Sequence, residues 1–222
     1  MRVFVVNAYP LRSKKYLDTD IPYELCQAVW WEDVDETIVN EFSFRYNAKI
    51  PYRKKVVSCY LSHKRLLERI VSEDLKDVVI MEDDCLLDFE GLGRLRGLTG
   101  FTYLGGDITS PLQKDMKEFH KEKKQNIRDG LKHGVNKIDR ELFKIGQTSG
   151  YFVPDGATAQ VILDYIDSRT KKKAIDTMYI GLQKLGVITD FLYPPIVRMF
   201  LPEAKLGFTG SAYKLYGDYS DY

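Results

Sequence analysis

Cysteine is scarce in this sequence, and so is any excess of charge. Three cysteines stand among 222 residues, Cys26, Cys59 and Cys85. They are an odd number, with no CxxC pair and no Cys/His spacing of a zinc module. That excludes a disulfide framework, and their apolar surroundings predict reduced thiols in the core of a cytosolic-type protein. Lysine and arginine number 33 against 32 acids, a formal net charge of +1. Such balance excludes whole-molecule steering toward nucleic acid or anionic membrane. Long apolar runs are missing too: no stretch approaches the ~18–20 residues of a membrane span. The opening "MRVFVVNAYP" is too short in apolar residues for a secretory signal. These absences predict action in the cytosol, at most peripheral to a membrane through an acceptor. Motifs of other enzyme classes are also lacking. "GQTSGY" is no GxSxG elbow, and "GLGRLRG" has neither a Walker lysine nor the full dinucleotide fingerprint.

What is present is a globular composition, 44% hydrophobic and 29% charged. Aromatic residues make up 13%, which suits either a ring-lined cleft or an aromatic-rich core. A chain of this length can bury roughly 70% of its unfolded surface in one domain. Apolar runs predict strands at 2–6, 25–31, 77–81, 101–106, 149–154 and 187–195. Helical spacing predicts helices over 56–72, 155–167 and 174–186, with Asp155 as an N-cap and Gly186 as a stop. Strands alternating with helices indicate an α/β domain with a mostly parallel sheet. Residues 106–142 are Lys-rich and mixed in charge, and they read as a surface insertion or acceptor-side flap. A Gly- and Tyr-rich tail occupies 203–222. The whole of 1–222 reads as a single domain.

The chemistry concentrates in "VVIMEDDCLL", where a strand runs into Glu82, Asp83 and Asp84. Ligands of open α/β sheets bind beyond the carboxyl ends of the strands, and hard cations such as Mg²⁺ or Mn²⁺ take carboxylate oxygens. The same acids could instead cap a helix or sit solvated in a turn. His63, beside Ser62 within the 56–72 helix, could act as acid, base or ligand, or as a hydrogen-bonded structural residue. Asp176 opens a helix after a basic run, either as macrodipole compensation or as a carboxylate base. The "KEKKQNIRDGLKH" segment reads as a solvated helix face rather than a phosphate-binding strip.

Taken in order, "VFVVNAYPLRSKKY", "SCYLSHKRLLERIV", "VVIMEDDCLL", "GQTSGYFVPDGATAQVIL", "AIDTMYIGL" and "DFLYPPIV" resemble the blocks of glycosyltransferase family 25. That family contains lipooligosaccharide galactosyltransferases and collagen glucosyl- and galactosyltransferases. The blocks cover about two thirds of the chain, and the Ser-His helix followed by the Glu-Asp-Asp strand end is the most specific part. Ala8 and Tyr9 depart from the family's more usual Leu and polar residue, and Pro154 stands where Ser is commoner. These departures leave the sugar open.

The resemblance implies a GT-A type nucleotide-sugar-binding fold, a nucleotide-sugar donor (a UDP-hexose), a glycan or glycoprotein acceptor and Mn²⁺ or Mg²⁺. It implies Glu82 and Asp84 as metal ligands, Asp84 foremost, with Asp83 at the donor. Asn7, Ala8, Tyr9 and Arg12 would line the nucleotide pocket, Tyr9 stacking on the base and Arg12 reaching a phosphate. Ser62 and His63 would face the donor, and Asp107, Gln147, Thr148, Ser149 and Gly150 would flank the sugar. Inversion, also implied, needs one base on the acceptor hydroxyl; the candidates are Asp176 and Asp155. Alternatives are a retaining transferase, a different nucleotide sugar, or a non-catalytic glycan-binding module of the same fold.

Overall fold

A computed structural model describes residues 1–8, 23–44, 48–111 and 121–199. Its centre is a seven-stranded sheet that begins with β1 (Arg2–Asn7), flanked by β2 (Tyr23–Gln27) and β3 (Val78–Glu82). Both neighbours run parallel to β1. Beyond β3 the order continues through β9 (Gly150–Val153), β5 (Thr102–Tyr103), β10 (Asp190–Tyr193) and β7 (Gly134–Lys137). β9 is antiparallel to both its neighbours, β10 is parallel to β5, and β7 closes the edge antiparallel to β10. Five of the seven strands therefore point one way, and the reversed β9 sits in the middle.

The sequence runs that look uniformly apolar are uniformly buried because both sheet faces are covered. Side-chain alternation sends Phe4, Val6, Val78, Ile80, Tyr151 and Val153 into one core. There they meet Leu67 and Ile70 of α2 (Ile50–Ser72), Ile162 and Ile166 of α4 (Gly156–Asp167), and Tyr179 of α5 (Ile175–Leu185). Val3, Val5, Val79, Met81 and Phe152 point the other way. Their cover is a ribbon of β4 (Cys85–Leu87) paired with β11 (Val197–Met199), together with the 3₁₀ turn Glu90–Leu95. Each large apolar side chain so buried contributes about 1.5–3 kcal/mol.

Local chemistry explains where elements depart from the expected bounds. α2 starts at Ile50 rather than 56, since Pro51 suits a first helical turn. β2 stops at Gln27 rather than 31. Past it, Val29 is taken by α2: its N–H donates to Ser62 Oγ at 2.9 Å, and its carbonyl accepts from Ser58 Oγ. α5 ends at Gly186, which adopts φ +76, the left-handed stop expected of it. The 106–142 stretch is more integrated than a surface excursion. Beyond α3 (Lys121–Asp129) it supplies the edge strand β7, and its β6 (Asp107–Thr109) pairs with β8 (Lys144–Gly146). A short helix, α1 (Glu36–Val39), precedes α2 with Asp35 as its cap. Among the described residues no helix is long and apolar enough to cross a membrane.

Candidate active site

β1 and β3 are parallel neighbours with Val6 opposite Glu82, so their carboxyl ends meet at one rim of the sheet. The rim is stitched by Asp83, buried to 3% exposure, whose Oδ2 accepts the Ala8 N–H at 2.7 Å. An ionised acceptor makes this a strong bond. It holds the chain leaving β1 against the acidic turn leaving β3. Beside it opens a cavity of about 170 Å³, lined by Ala8, Trp30, Lys55, Cys59, Asp83 and Asp84 among others. Lys55 lies over the Trp31 ring at 5.4 Å, placing a cation at its mouth.

α2 forms the back wall. His63 is fully buried, its Nδ1 2.8 Å from Tyr151 Oη, which also receives the Tyr179 hydroxyl at 3.2 Å. Its Nε2 stands 3.4 Å from Glu82 Oε1 but makes no hydrogen bond among the described residues, because the approach lacks hydrogen-bond geometry. The same Glu82 oxygen accepts from Thr148 Oγ1 at 2.6 Å, and the Glu82 N–H donates to the Ser149 carbonyl. The Cys59 thiol, one turn before His63, is pushed well above its ordinary value by burial first, then by Glu82, Asp176 and Asp84. Ligand atoms of Cys59, His63 and Glu82 lie within 4.8 Å of one another. Burial likewise pushes the Tyr151 phenol up, with Tyr179 adding to it.

A second, larger cavity of about 220 Å³ opens where β5, β10 and the start of β9 reach the same rim. Tyr103, Gln147, Ser149, Phe191, Tyr193 and Arg198 contribute to its walls. Gln183 of α5 braces this side. Its Oε1 accepts from the Ile145 N–H at 3.0 Å, while its Nε2 donates to the Ile145 carbonyl at 2.7 Å and to Tyr103 Oη at 2.9 Å.

The expected residues separate accordingly. Ala8, Asp83, Asp84, Glu82 and His63 converge on the first cavity. Asn7 is buried beside them, its Oδ1 without a hydrogen-bond partner among the described residues. Tyr9 and Arg12 lie outside the described residues. Ser62 also lines the cavity, but its hydroxyl is engaged: it accepts from Val29 and donates to the Ser58 carbonyl, so it positions the 28–31 segment. Gln147, at φ +68, and Ser149 face the second cavity. Gly150 has a packing role instead: a Cβ there would meet Val197 Cγ2 at 2.6 Å. Asp107, also buried, pairs with Lys124 at 2.7 Å and Arg128 at 3.8 Å, bracing α3 against β6 rather than facing either cavity.

The two base candidates part company. Asp176 sits half-buried in the first turn of α5, its Oδ1 accepting from the Thr177 N–H at 2.6 Å. Its charge bears on both Cys59, which lines the first cavity, and Tyr103, which lines the second, although burial is the main cause of the upward shift of each. Asp155 caps α4 through the Thr158 N–H at 2.8 Å. It follows β9, whose Val153 pairs with Val78 at the amino end of β3. Asp155 is thus at the opposite end of the sheet from the acids. Sequence reasoning also missed Cys59, Tyr151, Trp30 and Lys55. For Cys59 a signal existed: it stands four residues before His63 on one helix, which puts both on one face.

The model of glycosyltransferase family 25, described as an LPS biosynthesis protein family, matches residues 11–179. No curated protein matches the chain. The matched span carries α2, the acidic strand end, the Thr148–Tyr151 segment and Asp176, while Ala8 and the cavity walls from residues 191–199 lie outside it. The chain belongs to glycosyltransferase family 25 and is a glycosyltransferase.

Proposed function

We propose that this glycosyltransferase has GT-A character and moves a hexose, galactose or glucose, from a UDP-sugar to a glycan or hydroxylated acceptor, with inversion and with Mn²⁺ or Mg²⁺. The observation that carries the reading is the Asp83–Ala8 bond. It fixes three consecutive carboxylates at the joined ends of two parallel strands, above a cavity of about 170 Å³. Such a rim is where open α/β sheets take nucleotides. The donor set suits a hard cation only in part. Glu82 is turned to Thr148 and His63 and Asp83 to Ala8; Asp84, on the wall of the same cavity, would be the foremost holder, with donor phosphates completing the shell. Burial first, and then the charges of Glu82, Asp176 and Asp84, hold up the Cys59 thiol, and the same three acids favour positive charge in this cavity. A cation bound there would offset the charge growing on the departing nucleoside diphosphate.

The remaining work belongs to this chain's own side chains. Trp30 and Trp31 offer ring surface to the donor base beside Lys55. Gln147 and Ser149, on the wall of the larger cavity, orient the sugar. Asp176 takes the proton from the acceptor hydroxyl, which enters from the larger, aromatic cavity. Thermal-shift titration against a panel of nucleotide sugars, with Mn²⁺ and with EDTA, tests the donor assignment. Metal-dependent stabilisation by uridine diphosphate compounds is expected; none with any nucleoside diphosphate removes it. Turnover measured with the preferred donor then fixes the anomeric outcome.

A further inference from the structure

We infer that Cys59, His63 and Glu82 form a second cation site, separate from Asp84, that takes a thiophilic divalent metal such as Zn²⁺. Three ligand types suited to zinc, a sulfur, an imidazole nitrogen and a carboxylate oxygen, converge with their ligand atoms within 4.8 Å of one another. Zinc bonds of about 2.0–2.3 Å in a tetrahedron put neighbouring ligand atoms about 3.3–3.7 Å apart. The 3.4 Å between His63 Nε2 and Glu82 Oε1 is already such an edge.

The independent sign is His63 itself. The residue is 0% exposed, yet Nε2 makes no hydrogen bond among the described residues and stands 3.4 Å from Glu82 Oε1. A buried ring nitrogen is normally satisfied. Its other nitrogen is held by Tyr151 Oη at 2.8 Å, the outer-shell contact that orients a ligating histidine. In the metal-bound form Nδ1–H donates to Tyr151 and Nε2 offers its lone pair. Cys59 and His63 stand one turn apart on α2, a rigid platform, and all three residues line the same cavity, which gives the ion its way in. On binding, the Cys59 S–H bond breaks, its proton leaves to solvent, and the sulfur lone pair bonds the metal.

The donor set separates this site from the hard-cation position, since thiolate and imidazole select zinc over Mg²⁺ or Mn²⁺. Because Glu82 stands at the edge of the donor cavity, a metal held here pins it and obstructs the donor. Zn²⁺ inhibition of sugar transfer therefore rests on the transferase reading above, whereas binding does not.

The test uses the full chain stripped with EDTA and titrated with Co²⁺, then with Zn²⁺. One equivalent of cobalt is expected, with a thiolate-to-cobalt charge-transfer band that Zn²⁺ abolishes by displacement. Cys59→Ser, nearly isosteric, removes the band and weakens Zn²⁺ binding at least tenfold, while Asp84→Asn leaves both unchanged. Absence of the band in the wild-type protein overturns the site, and so does a band that survives Cys59→Ser or disappears with Asp84→Asn. Failure of the nucleotide-sugar titration alongside a normal cobalt spectrum would sink the donor assignment and leave the metal site standing.

Discussion

The two cavities at the sheet rim are built differently. The smaller one is made of groups already committed to one another: Asp83 to Ala8, Ser62 to Val29, Glu82 to Thr148, His63 to Tyr151. The larger is aromatic and apolar, walled by Tyr103, Phe191 and Tyr193, and its polar brace, Gln183, works from behind. A cavity of fixed dipoles suits a ligand whose charge must be held in one place. One of rings and few polar anchors suits a sugar-bearing acceptor that is positioned by shape. The partition predicts that mutations on the acidic side change turnover, and that mutations on the aromatic side change stability first.

The largest effect is expected on the acidic side. Asp84→Ala should lower kcat/KM by roughly a hundredfold or more, the scale of losing one preorganised electrostatic group. The melting temperature should barely change. Steady-state kinetics on a nucleotide sugar with Mn²⁺ decide it; full turnover would break the partition. The next effect belongs to the wall of the larger cavity. In Gly150→Ala the new methyl meets Val197 Cγ2 at 2.6 Å and Cβ at 2.7 Å. Val197 is β-branched and pinned by its own N–H to the Leu104 carbonyl, so it has no cheap retreat. A loss of about 3 kcal/mol by urea unfolding is expected, at the upper end for overpacking. Gln183→Leu follows, at about 2 kcal/mol, since it strands the Ile145 N–H and carbonyl and the Tyr103 hydroxyl in the interior. Its KM for acceptor should rise more than its KM for donor.

The same contrast explains what could be read in the sequence. The acidic side was legible because its parts are short and contiguous. Val78–Met81 announces a buried strand by composition, Glu82–Asp84 follows at once, and Ser62 and His63 share a helix whose periodicity is plain. The aromatic side was not, because its walls come from residues 103–108, 145–149 and 191–199, joined only by tertiary pairing. The apolar run at 101–106 announces β5, but β7 emerges from a Lys-rich stretch and carries no periodic signal of its own. The direction of β9 was the costliest unknown. A parallel β9 would have brought the residues after it, Asp155 included, to the active rim. Being antiparallel, it brings the residues before it, Gln147 to Ser149, and sends Asp155 away. Strand composition says a strand is buried, and says nothing of which way it runs.

Asp155 therefore gives the smallest effect and the sharpest control. Its carboxylate satisfies one of the otherwise orphaned N–H groups at the start of α4, at 2.8 Å. Asp155→Ala removes that cap and should cost about 1 kcal/mol of stability. α4 packs Ile162 and Ile166 into the helix-side core, so the loss is read as a lower urea midpoint for the whole chain with an unchanged slope. Because the residue lies at the amino end of β3, kcat/KM measured well below the melting temperature should remain at the wild-type value. Asp176→Ala is its counterpart at the start of the next helix: there turnover should fall while stability changes little. If Asp155→Ala lost activity and Asp176→Ala kept it, the base would have to act from the far end of the sheet, which the register of β9 against β3 forbids.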